Sequence, residues 1–166
     1  RRRLDAQLIA GDGAGQNIRG LLNTTGIGAP AFVAGDDALM ATQRAITATW
    51  LAEGQPTFVA VNPSVMQAIR FIKDTTGRYV YGSPATPDPN PRIWGLPAIV
   101  TTAMPTTNVL VGDSTQATLL VREGLTVRLS DSDADDFTSN RVTVLVETRA
   151  AFPVWRPGAF AKGALA

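Results

Sequence analysis

Apolar residues recur at intervals of three and four in the first part of the chain and at intervals of two in the last third. The first rhythm predicts helices and the second predicts strands. Leu4, Leu8 and Ile9 mark a helix ending near residue 10, with Gly11 where a C-cap stands. Asp36 and Asp37 supply a cap and first-turn negative charge for a second helix running to about Ala52. Its apolar stripe is Leu39, Ile46 and Trp50, widened by Met40 and Leu51. "TFVAV" has strand length, and Asn62–Pro63 then starts a third helix as N-cap and N1. Val65, Met66, Ile69 and Ile72 give that helix one apolar face. After "DTTG" the aromatic stretch Tyr79, Val80, Tyr81 predicts a strand.

From residue 93 strand candidates follow, and after Met104–Pro105 the pattern is all β. "IWGLPAIV" reads as one strand whose Gly–Leu–Pro places it at an edge or a bulge. "NVLVGD", "ATLLVRE" and "LTVRLS" follow as separate strands, and "RVTVLVETRAAF" is the longest candidate. In that last stretch Val142, Val144 and Val146 share one face. Period two turns Arg141, Thr143 and Arg149 away from them, so the valines are expected to meet a core. Between the aromatic and β segments, "GSPATPDPNPR" holds four prolines in eleven residues and predicts a loop.

Composition narrows the chemistry. The 166 residues suffice for one domain, or for two lobes sharing a core. Fifteen basic residues against fourteen acidic leave a formal charge of +1, too balanced for an electrostatic nucleic-acid binder. Cys and His are both absent, which excludes disulfides, thiol nucleophiles, the usual zinc ligand set and a Ser-His-Asp triad. Thirteen of the fifteen cations are Arg, the less hydrated and more planar donor, a bias that suits protein contacts. No apolar run approaches the roughly 18 residues of a membrane helix.

Two motifs invite a ligand and fail on spacing. "GDGAGQNIRG" follows a helix where a phosphate loop follows a strand, and Gln16 stands where the third glycine belongs. Its glycines read as turns with positive φ. "DSDADDFTSNRV" alternates Asp131, Asp133 and Asp135 like a calcium loop, but offers Asp136 and Val142 where Gly and Glu are required. Glu53, Glu123 and Glu147 are scattered, and Trp50, Trp94 and Trp155 read as core or interface anchors.

Five stretches carry a resemblance: "AQLIAGDGAGQNIRGLL", "VNPSVMQAIRFIKDTTGRYVYGSP", "IWGLPAIVTTAMP", "VLVGD" and "DFTSNRVTVLVETRAAFPVWRPGAF". In this order they resemble the major capsid proteins of tailed phages of the Hong Kong 97 type, over nearly all of the chain. The resemblance implies an α+β class and a truncated Hong Kong 97-type capsid fold, with an axial lobe and part of a peripheral lobe. Residues 1–52 and 136–150 would be the peripheral portion: the end of the spine helix, the second helix and the long strand. Residues 53–135 and 151–166 would be the axial lobe, which faces the capsomer centre. The family's N-terminal arm, extended loop and most of its spine helix lie outside this match, and the start at "RRRLDAQ" reads as that of a processed or truncated piece. Alone, the 166 residues are expected to stay monomeric or form rings, without closing a shell.

The same resemblance implies a structural role and no enzyme: a head-shell subunit of a tailed phage, prophage or gene-transfer particle. Its partners would be itself in pentamers and hexamers, neighbouring subunits, and the portal and scaffold or protease. The genome would be packaged inside without sequence-specific binding. No cofactor, metal or membrane is implied, and the location is the virion after assembly in the host bacterial cytoplasm. A cellular nanocompartment shell of the same fold, or a small-molecule-binding enzyme domain, are the alternative readings. Pro84, Pro87, Pro89, Pro91, Arg92 and Trp94 would form a capsomer-interface loop at the five- or six-fold axis. In the type member a Lys of the extended loop joins an Asn of a neighbour, with a Glu as proton acceptor. Asn140 and Glu147 match those positions here. On one strand they would stand roughly 23 Å apart on opposite faces, so any such bond needs two subunits. Lys73 and Lys162 lie in other segments than the donor, which leaves Asn140 a capping role within this chain.

Overall fold

The computed structural model describes residues 2–31, 33–82, 89–132 and 134–165. The chain forms two compact units, one from Arg1–Thr118 with Val154–Ala166 and one from Leu119–Pro153. The first is built on a five-stranded sheet and the second is a two-stranded ribbon.

In the sheet unit, helix α1 (Arg2–Ala10) ends as predicted, the Gly11 N–H bonding Gln7 O at 2.9 Å. Gly11 is required by proximity, since a Cβ there would stand 2.0 Å from Ile18 O. The following loop turns at Gly13 and Gly15, both with positive φ. The sheet contains β1 (Phe58–Val61), β2 (Arg92–Ile93), β3 (Leu96–Val100), β4 (Asn108–Gly112) and β7 (Phe160–Ala164), in the order β2-β3-β1-β4-β7. β1 runs parallel to β3 and antiparallel to β4. Its last three residues are buried, as a continuous apolar run in mid-sheet demands. The outer edge of β7 is stitched to Gly28, whose N–H bonds Phe160 O and whose carbonyl accepts from Lys162 N, each at 2.8 Å.

Helix α3 (Pro63–Phe71) matches its sequence signature. The Asn62 carboxamide oxygen accepts from Ser64 N at 3.0 Å, and its amide nitrogen donates to Met104 O at 2.6 Å. Val65, Met66 and Ile69 are buried against Val59, Val61, Val109, Val111 and Ile93. Burial of side chains of this size stabilises by about 1.5–3 kcal/mol each.

Helix α2 (Ala38–Leu51) is capped by Asp37, which accepts from Met40 N at 2.9 Å. Its buried face differs from the expected stripe. Ala41, Thr42, Ala45, Ile46 and Thr49 are inside, whereas Met40, Trp50 and Leu51 are 53%, 57% and 82% exposed. Close approach is the reason: a Cβ on Gly163 of β7 would lie 2.6 Å from Ala41 O. Only small side chains fit at that distance, and the two threonines satisfy their hydroxyls on Ala38 O and Ala45 O. Arg156 closes the helix end by donating to the Ala52 and Glu53 carbonyls.

Three strand expectations change. Tyr79–Tyr81 form no strand; Tyr79 makes a single bridge to Lys73 around the Asp74 turn. "IWGLPAIV" is two strands joined at Trp94–Gly95, where both φ values are positive (51° and 80°). That is the geometry of a two-residue hairpin turn, so the glycine marks a reversal. "ATLLVRE" and "LTVRLS" merge into β5 (Leu120–Ser130), eleven residues long against nine for β6 (Thr143–Ala151).

β5 and β6 pair antiparallel, with register shifts between Val121 and Thr126. Val127 stands opposite Val146 and Leu129 opposite Val144, while Thr126 faces Glu147 and Ser130 faces Thr143. One face is therefore apolar, and the other is polar apart from Leu145 opposite Arg128. The apolar face meets no core: Val142, Val144 and Val146 are 61%, 57% and 55% exposed. Alternation identifies which face is dry but supplies no second layer, and a two-stranded ribbon has none of its own.

Substituting Gly163→Ala drives a methyl group into the α2 backbone and is expected to lower stability by roughly 1–3 kcal/mol. Urea unfolding followed by tryptophan fluorescence measures this, and an unchanged midpoint would contradict the seating of α2 on β7.

Candidate interaction surfaces

The turn around Asp74 is exposed at the surface of the sheet unit. One carboxylate oxygen of Asp74 accepts from Thr76 N, Thr76 Oγ1 and Arg78 N at 2.6–2.9 Å. Gly77 adopts φ 82°, and the Lys73 ammonium sits 4.8 Å from the Tyr79 ring centroid. The Thr76 hydroxyl, followed by the Arg78 N–H, holds the Asp74 carboxyl below its ordinary value of 3.8. Asp12 is lowered in the same way by the Ala14 N–H and Asn17.

Of the expected interface loop, Pro84 and Pro87 lie outside the described residues. Pro89 is exposed, and Pro91 lends its carbonyl to Ala98 N at 2.8 Å, prolonging the β2–β3 hairpin where no N–H is needed. The Arg92 carbonyl receives the Tyr81 hydroxyl at 2.6 Å, and its guanidinium folds back on Gly95 O at 3.3 Å. Trp94, at the hairpin tip, donates its indole N–H to Leu39 O of α2 at 2.9 Å and is 57% exposed. The hairpin is thereby tied to the outer face of α2. An open hollow of about 400 Å³ lies between them, lined by Gln43, Ile46, Trp50, Gln55, Pro56, Trp94 and Leu96. Trp50, Trp94 and Trp155 are all more than half exposed, which leaves the interface half of their expected role. No sequence signal marked Gln43, Gln55 or Leu96; only folding brings them to Trp94.

The second surface is the apolar ribbon face. Asn140 and Glu147 belong to the ribbon unit, but not to one strand. Asn140 sits in the turn before β6 with φ 51°, so the seven-residue strand spacing does not apply. Glu147 is exposed on the polar face opposite Thr126. No hydrogen bond joins the two residues in the described structure. Nearby, the Thr143 hydroxyl donates to the buried Asp136 carboxylate, which anchors the acidic turn to the start of β6. Among the described residues no three Asp or Glu converge on a common point.

The sequence pattern defining the phage capsid family matches residues 1–165. The chain is 33% identical over 161 residues to the major capsid protein of Enterobacteria phage HK97, covering 96% of this chain and 42% of that protein. Its fold is similar to a solved chain of Mycobacterium phage Ogopogo, with TM-score 0.72 and 18% identity, over 97% of this chain and 62% of that one. A chain from the capsid of an empty GTA particle computed with C5 symmetry gives TM-score 0.70 and 21% identity, over 99% and 62% of the two chains. This chain belongs to the phage capsid family and has the Hong Kong 97-type fold. It spans less than half the length of the curated relative it matches.

Two outcomes follow. Because the folded Asp74 turn lowers that carboxyl's pKa, its contribution is complete above the ordinary value of 3.8 and is lost as pH falls through the lowered value. The Thr76 and Arg78 amide resonances should therefore stay constant from neutral pH down and shift together only below it, and Asp74→Asn should abolish the step. Val144→Asp, on an exposed face, should change the unfolding free energy of the isolated chain by less than about 1 kcal/mol. Loss of soluble expression would contradict the exposed placement.

Proposed function

We propose that this chain is part of the major capsid subunit of a tailed phage or prophage, a structural protein that assembles with copies of itself into pentamers and hexamers of an icosahedral head. The match over residues 1–165 to the phage capsid family, with 33% identity to a phage major capsid protein, carries this reading. The same identity favours a phage head over a nanocompartment shell. The described surface fits shell work, offering apolar and aromatic contact area. Its role is to hold neighbours, without catalysis or cofactor. In this reading the portal, the scaffold or protease and the packaged genome are partners of the assembled head, which forms in the host cytoplasm.

The lobes are best drawn along the compact units. The pairing of β5 with β6 supports keeping both strands in one lobe, and we assign residues 119–153 to the peripheral lobe. α2 is packed on β4 and β7, so it moves with the sheet into the axial lobe. In the family the peripheral lobe carries the long spine helix, and the apolar ribbon face is of the kind such a helix covers.

The test is assembly of the full-length protein that contains these residues. Negative-stain images should show five- and six-membered rings and closed shells, while a monomer at every concentration would overturn the proposal. Asn140 and Glu147 are assigned contact roles without covalent chemistry. Particles boiled in detergent should then give one monomer band. A ladder lost on Asn140→Asp or Glu147→Ala would instead establish a crosslink.

A further inference from the structure

We propose that Trp94 is a latch: its indole hydrogen bond to α2 holds the β2–β3 turn in a strained conformation, and breaking that bond releases the turn into a second, relaxed one. The starting point is a mismatch between sequence and backbone. A two-residue hairpin turn with positive φ at both positions favours Asn, Asp or Gly first and Gly second. Gly95 meets its half at φ 80°, whereas Trp94 adopts φ 51° with a bulky side chain. Such a residue carries strain and persists only where its surroundings impose the conformation. Around this turn the surroundings offer little. A Cβ built on Gly95 would meet nothing within 4 Å, and the Arg92 guanidinium that reaches Gly95 O at 3.3 Å belongs to the same hairpin. What ties the turn to another element is the indole N–H on Leu39 O, at 2.9 Å.

That bond opens at little cost. Leu39 lies in the first turn of α2, so its carbonyl also serves the helix amide four residues on and stays satisfied without the indole. Trp94 is 57% exposed, so water takes over its N–H. The net worth of such a bond and the strain it opposes are of the same order, which places the two conformations close in free energy. Motion is confined to the turn. Ile93 is 1% exposed in the core, Arg92 O holds the Tyr81 hydroxyl at 2.6 Å, and Pro91 O accepts from Ala98 N at 2.8 Å. Release therefore leaves β2 and β3 paired and moves one wall of the hollow of about 400 Å³ that Trp94 lines with Trp50. The latch couples the shape of that hollow to one hydrogen bond, so a partner that prefers one shape shifts the balance between the two.

Nitrogen-15 and carbon-13 relaxation dispersion on the 166-residue chain tests the latch. Trp94 Nε1 and the Gly95 backbone should show exchange on the microsecond-to-millisecond scale, with a minor state of about 1–10%. The Trp155 indole, which lines no part of the hollow, should show none. Trp94→Phe keeps a ring and removes the N–H, and should move the carbon shifts of Gly95 to those of the wild-type minor state. Trp94→Gly adopts positive φ without strain, and should hold the major-state carbon shifts with flat dispersion. Flat profiles at Trp94 and Gly95 in the wild type would overturn the inference. So would major-state Gly95 shifts in Trp94→Phe, because the turn would then stand without the bond. The wild-type profile decides on its own, so the test survives a variant that fails to fold.

Discussion

The sheet unit depends on how closely α2 lies on β4 and β7. Gly163 has no side chain under Ala41, and the inward face of the helix carries only Ala41, Thr42, Ala45, Ile46 and Thr49. This spacing pushes every large residue of the helix except Ile46 toward its flanks. Trp50 is thereby left on the surface, and the Leu39 carbonyl is placed where the Trp94 indole reaches it. The hollow, the tethered hairpin and the outward aromatic face all follow from one helix seated close to its sheet.

Local signals in the sequence are legible where a backbone group needs a particular side chain. Asp37 and Asn62 cap helices because their oxygens meet orphan amides, and such bonds depend on residues two or three positions away. The buried face of α2 departs from its apolar stripe because hydrophobicity does not report distance. Against a glycine-lined strand, alanine and threonine pack better than methionine or leucine. The Trp94–Gly95 turn was hidden for another reason: tryptophan is not a residue that announces positive φ, and its conformation is fixed by a contact 55 positions away. Family membership was legible because it rests on several stretches in order, whereas the members of the hollow meet only in three dimensions.

The ribbon poses the opposite problem. Its alternation was clear, and the expectation of a core behind Val144 followed from it. A pattern of alternation states that a face avoids water, and leaves open whether the cover comes from the same unit. In a shell subunit the distinction between core and interface loses its force, because side chains exposed in one chain are interior to the assembly.

The stitching of Gly28 along β7 acquires a meaning at this level. That bond pair occupies one edge of the sheet, and the opposite edge ends in a strand of two residues. Among the described residues, neither border of this sheet offers a long open ladder onto which a neighbouring sheet could be added. A backbone ladder would lock adjacent subunits at one fixed angle. With both borders of this sheet blunted, the sheet unit offers neighbours side-chain surfaces, which tolerate a few degrees of rotation. In the proposed capsid subunit, that freedom would let one sequence close rings of two different sizes.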